Sequence, residues 1–516
     1  MKNDPETKSR KQSIVKAAFI MTMVSGVSSV VSFAREMVIA YVFGAGAVTD
    51  AYNVAMRVAS TAGLLVSTYF MTVFIPSYVR TREKHGDKKA LLVANNALGV
   101  SFVINIVLML VLHLSAHFIL GIITGFEEKQ LAITVTAVNI VLFQLPVTTF
   151  VSFFGGYLNA RKSFLGPVFA VIPKNILIII IIFLFGAGMG VTGLSLARVL
   201  SVCVSLLALF FWVFREKYKF TLSIRFNTPE MRNDLMLLFP VMIGSALSDL
   251  KAWVDTVIAS FLGEGMVAAV GFSSHLLIFV RVIVIMPVTG VIFSYLSEYA
   301  AKGDKEKMFD ILWKAVRVLL FILLPIVIIA IPSSMDIVKI VYERGQFDAD
   351  ATLITGAALR WYLPGLLFIA LHMLLTRMSY GVLDSKTPVI SASVAMIINI
   401  GLSIWLSGIY GIGGLAFATS VGHCVAAILL FVLIRRKFGA LDFLKTAKDI
   451  FKMAVCVLPC VALVILLRGL LHENHVIIRF VTVTAAGGII YLISAYILKV
   501  SVLNDTLLIL RKRFGR

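Results

Sequence analysis

The chain is written in long apolar runs separated by short polar breaks. Runs near the length that carries a helix across a bilayer, about 20 residues, fall around residues 14–35, 38–79, 90–115, 130–158, 163–186, 191–214 and 233–262. They continue around 266–297, 308–334, 352–382, 388–408, 411–435, 449–469 and 476–498. The pattern predicts an all-α polytopic membrane protein with about fourteen transmembrane helices. The second run is too long for one simple crossing and is expected to be tilted, kinked or extended beyond the bilayer. The first follows Lys8, Arg10, Lys11 and Lys16 and ends at Ser32-Phe33-Ala34, a passable signal-cleavage sequence. Its length and the many spans behind it mark it instead as an uncleaved first helix.

The polar breaks alternate in charge. Lysine and arginine gather at the amino terminus, at Arg80 to Lys89, Arg161-Lys162, Arg215 to Arg232, Lys302 to Lys307, Lys386, Arg435 to Lys437 and Arg511 to Arg513. The intervening breaks are poor in basic residues: Glu127 to Lys129, Gly186 to Gly188, Gly263 to Gly265, Glu343 to Asp350, Gly408 to Gly414 and Glu473 to His475. Unbroken alternation implies an even number of crossings, with both termini in the cytoplasm.

An internal repeat underlies the pattern. Gly156-Tyr157-Leu158-Asn159-Ala160-Arg161 is echoed by Gly381-Val382-Leu383-Asp384-Ser385-Lys386. Each is followed by one span carrying an asparagine (Asn175, Asn399), then by Gly190-Val191-Thr192-Gly193-Leu194 or Gly411-Ile412-Gly413-Gly414-Leu415. An even number of helices separates the copies, so both halves share one orientation. Parallel repeats of this kind are a transporter architecture, with the substrate between the halves. The expected lobes are 1–225 (helices 1–6) and 226–440 (helices 7–12), with a helix pair and tail at 441–516.

Composition narrows the function. The 516 residues are 59% hydrophobic and 14% charged, with a mean hydropathy of +0.97, which no soluble domain of this size hides. The net charge of +20 belongs to topology-setting loops rather than to nucleic-acid binding. Cys203, Cys424, Cys456 and Cys460 lie inside apolar runs without metal-site spacing. There is no Walker sequence, no His-Glu-x-x-His and no loop large enough for a catalytic domain, so the chain reads as a transporter and not an enzyme. No cofactor is called for; coupling to Na⁺, H⁺ or the membrane potential is the default.

Ionisable groups nevertheless recur at membrane depth, where each costs about 3 kcal/mol in lipid. Phe33 to Arg57 alone carries Arg35, Glu36, Asp50 and Arg57, and later spans add Lys174, Arg198, Asp249, Lys251, Asp255, His275, Arg281, Arg360, His372 and His423. If these converge, cations outnumber carboxylates and the cavity suits an anionic headgroup such as a pyrophosphate. Alternatively Asp249 or Asp255, with neutral oxygens from Asn399 and Thr419, forms a cation-coupling site. The bland reading, in which Lys251 neutralises one aspartate and water the other, weighs against that site.

Several motifs together resemble one family. Phe33-Ala34-Arg35-Glu36, Phe43-Gly44-Ala45-Gly46, Thr49-Asp50-Ala51 and Phe74-Ile75-Pro76 are similar to the amino-terminal signature of the MurJ/MviN lipid II flippases. Asp255 to Leu262, Tyr342 to Phe347 and Asp384 to Pro388 resemble that family's helix 7 and the loops on either side of helix 10. The resemblance implies two six-helix lobes of the multidrug/oligosaccharidyl-lipid/polysaccharide exporter superfamily, plus a helix pair that forms a groove for a polyprenyl tail. It implies roles for Arg35 and Asp50, and for Arg57 where the family often has lysine. Three family arginine positions differ: they fall at Ser29, near Gly63 and at His275, with Arg281 nearly two turns beyond the last.

The resulting expectation is a monomeric flippase for an undecaprenyl-pyrophosphate-linked saccharide, lipid II first, working by alternating access, with cell-wall synthesis proteins as candidate partners. Arg35, Arg57, Lys251, His275, Arg281 and Arg360 are the expected substrate-binding residues, with Asp50 orienting the arginines. The alternatives are a flippase for another polyprenyl-linked surface polysaccharide and a cation-coupled exporter of amphipathic compounds.

Overall fold

The computed structural model describes residues 5–216, 218–221, 223–439 and 444–514, and every regular element among them is a helix. In chain order these are α1 (Pro5–Phe43), α2 (Ala47–Thr68), α3 (Ile75–Ile123), α4 (Glu128–Val141), α5 (Gln144–Ala160), α6 (Leu165–Phe169), α7 (Val171–Arg215) and α8 (Pro229–Phe261). Then follow α9 (Met266–Val280), α10 (Met286–Ala301), α11 (Lys305–Ala330), α12 (Ser334–Tyr342), α13 (Ala349–Tyr362), α14 (Gly365–Gly381), α15 (Lys386–Phe438), α16 (Leu444–Leu470), α17 (Val476–Ile497) and α18 (Ser501–Phe514). Among the described residues nine helices are long and apolar enough to cross a membrane, or eleven if each of two bent pairs counts as one span. The expected fourteen is not reached by that measure. One reason is that α2 and α3 count together as one run, Ala47–Ile123, and that α15 counts as one, although α3 and α15 pass through glycines with non-helical angles at Gly86 and Gly411.

The repeat seen in the sequence is written into the backbone. Gly190 (φ 52°, ψ −136°) and Gly411 (φ 57°, ψ −137°) adopt the same left-handed conformation, which glycine enters without steric cost. Between α2 and α3, residues Tyr69–Phe74 form a π-helical turn, and Arg281–Ile285 form another between α9 and α10. Each turn runs into a proline, Pro76 or Pro287. Proline lacks the N–H of the regular ladder, and a widened turn is one way a helix absorbs that loss. The third echo is the bend of 42° between α4 and α5, matched by 44° between α13 and α14.

Contacts divide the chain into two compact units. The first runs to Ala268 and includes Gly345–Phe347; the second comprises Ala269–Arg344 and the chain from Asp348 onward. By packing, therefore, α8 belongs with the first unit, whereas the sequence repeat begins the second lobe at residue 226. The Tyr69 hydroxyl donates to Asp234 of α8 at 2.9 Å, and further contacts described below join α8 to α2. The repeat boundary at 440/441 lies outside the described residues.

The first unit is built on an aromatic core in which Tyr69, Phe70, Phe74, Tyr78, Phe153 and Tyr157 are buried, with Tyr218 set against Tyr157 at 5.0 Å between ring centroids. The segment after α7 is held on α3: Asn95 donates to Lys219 O and Thr221 Oγ1, and Asn96 Oδ1 accepts from the Arg225 N–H at 2.6 Å. Gly99 makes room for it, since a Cβ there would collide with Ser223 O.

In the second unit α16 and α17 pack on α11 through buried Cys456, Cys460, Val464 and Tyr491. These two cysteines are small core residues, as expected; Cys203 and Cys424 are half-buried. Asp336 of α12, its side chain 3% exposed, receives Arg468 of α16 and Arg479 of α17. At the other end Arg317 of α11 faces Asp449 of α16 at 3.6 Å, and Ser501 of α18 donates to the same carboxylate.

Two outcomes are expected. A Cβ at Gly411 meets nothing within 4 Å, so Gly411→Ala should cost only backbone strain, about 1–2 kcal/mol. Gly411→Asn should cost as much, because ψ −137° lies outside the left-handed α well that asparagine tolerates; thermal unfolding in detergent measures both. In the loop between α14 and α15, burial pushes the Asp384 carboxyl up, but Lys437 and the Thr387 N–H and hydroxyl outweigh it and hold it down at about 2. A depressed folded value means stability that is complete above the unfolded value of about 4 and lost as pH falls toward 2. Wild type should therefore exceed Asp384→Asn in thermal stability at pH 7, and the gap should narrow at pH 3.

Candidate functional site

A helix places residues four apart on one face, and α1 uses this to build the first charged group. Ser32 and Glu36 share a face, and Arg35 folds its guanidinium beside Glu36, with Nε at 3.1 Å from Glu36 Oε1 and Nη2 bonded to the same oxygen. Arg35 Nη1 donates to Asn175 Oδ1 at 2.7 Å, and Asn175 Nδ2 donates to Ser32 Oγ and Val171 O. The asparagine that marks the repeat is thus the socket that fixes Arg35. Lys174 and Arg198 lie within electrostatic range of Arg35, and Arg198 Nε is steadied by Gln144 at 3.0 Å. Three basic side chains at membrane depth thus gather beside one carboxylate, Glu36.

A second group joins α2 to α8. Arg57 and Thr61 are one turn apart on α2, as are Asp249 and Trp253 on α8. Arg57 Nη1 stands 3.8 Å from Asp249 Oδ1. Thr61 Oγ1 donates to Asp249 Oδ2 and accepts from the Trp253 indole N–H at 2.7 Å. Lys251 pairs electrostatically with Asp255, one turn further along α8. Both α8 aspartates therefore have a cationic neighbour in the protein. The expectation that water would neutralise one of them is corrected: Arg57 does so.

Asp50 departs from its expected role of orienting arginines. It is fully buried, and its oxygens accept from the backbone N–H groups of Gly265 and Ala268 at 2.6 Å each and from Gln130 at 3.2 Å. It thereby caps α9, where the free N–H groups and the helix dipole favour an anion. The neighbouring Glu264 repays the arrangement by accepting from Ala47 N–H at the start of α2, at 3.0 Å. At the same end the loop residue Gln346 donates its N–H to Tyr41 O at 2.9 Å.

The second unit holds the remaining expected residues. Arg281 opens the π turn, and its buried Nε has no hydrogen-bond partner. His275 is half-buried on α9. Arg360 is exposed in the last turn of α13 beside exposed Trp361; it does not line a buried pocket. Asn399 is buried with both amide atoms unpaired, and the buried hydroxyls of Ser403 and Thr419 are also unpaired. A Cβ on Gly422 would sit 2.9 Å from Asn399 Cβ, so the two halves of α15 meet there, with Ser403 one turn beyond Asn399 and Thr419 within a turn of Gly422. Asn399 packs on Gly422, three residues past Thr419, in the second unit, whereas Asp249 and Asp255 belong to the first. Ser403 was missed, although its i+4 spacing from Asn399 was visible. Among the described residues no group of three or more His, Cys, Asp or Glu side chains is placed to hold a metal ion.

A chain all-helical among its described residues, with 9 to 11 candidate spans, paired backbone features and charged groups at membrane depth, fits a multi-pass transporter of the multidrug/oligosaccharidyl-lipid/polysaccharide exporter type. The profile of the lipid II flippase MurJ family matches residues 39–486, and the chain belongs to that family. A probable lipid II flippase MurJ of Rhizobium meliloti (strain 1021) is 27% identical over 418 residues, 79% of this chain and 78% of the relative. One from Rickettsia prowazekii (strain Madrid E) is 24% identical over 506 residues, 96% and 95% of the two chains. Among solved structures, a lipid II flippase MurJ in an inward closed conformation superposes with a TM-score of 0.80 at 20% identity, covering 93% of this chain and 98% of that one. An inward-facing multidrug-resistance MATE transporter gives 0.68 at 16% identity, covering 81% and 97%.

Removing the cap tests the reassignment of Asp50. Asp50→Ala leaves two buried N–H groups unpaired and should lower stability by about 2 kcal/mol or more, whereas Asp50→Asn, which keeps an acceptor, should lose less. Thermal unfolding of the purified protein measures the order.

Proposed function

We propose that this protein translocates lipid II, the polyprenyl-pyrophosphate-linked precursor of peptidoglycan, from the inner to the outer leaflet by alternating access. The family match over nearly the whole chain carries the reading. The chemistry that supports it is the cluster of basic side chains around Arg35, where Arg198 sets a second guanidinium and Lys174 an amine beside it, together with the unpartnered Arg281 Nε. Guanidinium groups at membrane depth bind phosphate oxygens in bidentate geometry. Arg35, Arg57 and Arg281 are the proposed headgroup residues, and Lys251, His275 and Arg360 contribute charge or hydrogen bonds at other stages of the cycle. The protein acts as a transporter rather than an enzyme, as a monomer with cytoplasmic termini, and alongside the cell-wall synthesis proteins that supply and consume lipid II.

Moving an anionic headgroup outward is assisted by an inside-negative potential, about 2.3 kcal/mol per charge per 100 mV. The unpaired oxygens of Asn399, Ser403 and Thr419 favour a second contribution, a hard monovalent cation held by neutral oxygen ligands in the second unit. If Na⁺ couples there, Asn399→Ala should abolish any sodium dependence of transport while leaving lipid II binding intact.

The decisive experiment depletes a cell of its lipid II flippase and supplies this chain as the replacement. Growth and outward exposure of lipid II should be restored by the wild type. Arg35→Ala and Arg35→Lys should both fail, since lysine keeps the charge but loses the fork. An expressed wild type that exposes no lipid II would move the substrate to another polyprenyl-linked glycan.

A further inference from the structure

The α2–α8 seam is unusual in what it leaves unsatisfied. Arg57 and Asp249 are oppositely charged and adjacent, yet at 3.8 Å the guanidinium stops short of a hydrogen bond. Their side chains are 33% and 19% exposed, so neither group is sealed inside the protein. Asp249 meanwhile takes its hydrogen bond from Thr61, and Thr61 takes the Trp253 indole N–H. Behind Thr61 and Trp253 lies an apolar cavity of about 280 Å³, lined also by Val58, Ala62, Leu112 and Ala116. An indole released from Thr61 has space to turn into it.

We propose that Asp249 is a placeholder for the substrate's phosphate: it occupies Arg57 in the empty protein, is displaced when a pyrophosphate arrives, and its release unlocks Thr61 and Trp253 and so loosens α8 from α2. A dianionic or trianionic pyrophosphate presents more charge and more acceptor oxygens to Arg57 than one carboxylate held at arm's length. Two anions cannot share the guanidinium without repelling each other. Asp249 is thus a positioning residue that sets affinity and links binding to a change in helix contact. Trp253 is the reporter of that change. The inference rests on the headgroup reading of Arg57 given above.

The test uses the full chain in lipid nanodiscs, with lipid II and inorganic pyrophosphate as separate probes. Asp249→Asn should bind lipid II about tenfold more tightly than wild type, because the competing charge is gone while the shape remains. Thr61→Val removes the hydrogen bonds but not the charge, and should stay within about twofold of wild type. A seam that merely braced the fold would make both substitutions weaken binding alike. In a variant retaining Trp253 as its one tryptophan, with Trp212, Trp313, Trp361 and Trp405 replaced by Phe, either probe should shift the emission saturably. That shift should vanish in Thr61→Val, where the indole is no longer tied to the seam. Equal or weaker binding by Asp249→Asn, while wild type binds lipid II, overturns the placeholder and leaves the functional reading standing. No binding of lipid II by the wild type overturns the functional reading and the placeholder with it.

Discussion

Inside a bilayer there is no water to solvate a charge, so each ionisable side chain must be answered by another group of the protein. The first unit obeys this constraint at short range. Glu36 answers Arg35 from the next residue, Asp255 answers Lys251 from one turn away, and Asp249 answers Arg57 from the facing helix. Most of the cationic surplus read along the chain is consumed in this way once α8 joins α2. What survives is concentrated: Arg198 beside Arg35 in one unit, and Arg281 at a π turn in the other. A transporter of anions can draw only on charge that its own fold has not already neutralised.

The same accounting explains the anchors. Asp336 is nearly sealed from solvent and would be costly alone, yet two guanidinium groups from successive helices converge on it. Removing either arginine leaves the other to hold a buried carboxylate, whereas removing Asp336 strands two cations, the more damaging loss. One carboxylate thereby fixes the spacing of α16 and α17, the pair outside the repeat. Its counterpart at the other end of α16 is the Arg317–Asp449 contact.

Much of this was legible in the sequence because it depends on local pattern. Hydropathy located the helices, and the glycines at 190 and 411 announced a repeat that their matching angles bear out. Asn399 and Thr419 stood out as polar residues at membrane depth, and both are buried without a hydrogen-bond partner. What escaped was whatever depends on which helix ends come together. Nothing near Asp50 in the chain reveals that its partners are the N–H groups of Gly265 and Ala268, more than 200 residues later by the chain numbering. Aspartate at membrane depth reads as a site; aspartate against a helix start is a cap, and only the tertiary contact tells them apart. The π turns and the paired bends were equally hidden, since Pro76 and Pro287 permit a kink without specifying its form.

The short segment after α7 has a further consequence. With Lys219, Thr221 and Arg225 tied to Asn95 and Asn96, and α8 beginning at Pro229, almost no chain is left there to pay out. A connector without slack transmits displacement instead of absorbing it. Any rearrangement of α8 must then be taken up inside the helix, where Pro240 interrupts its hydrogen-bond ladder, or beyond it at Gly263 and Gly265, whose angles already lie in the left-handed half of the map. The tether behaves as a fulcrum, and the compliance of the machine is displaced into its helices.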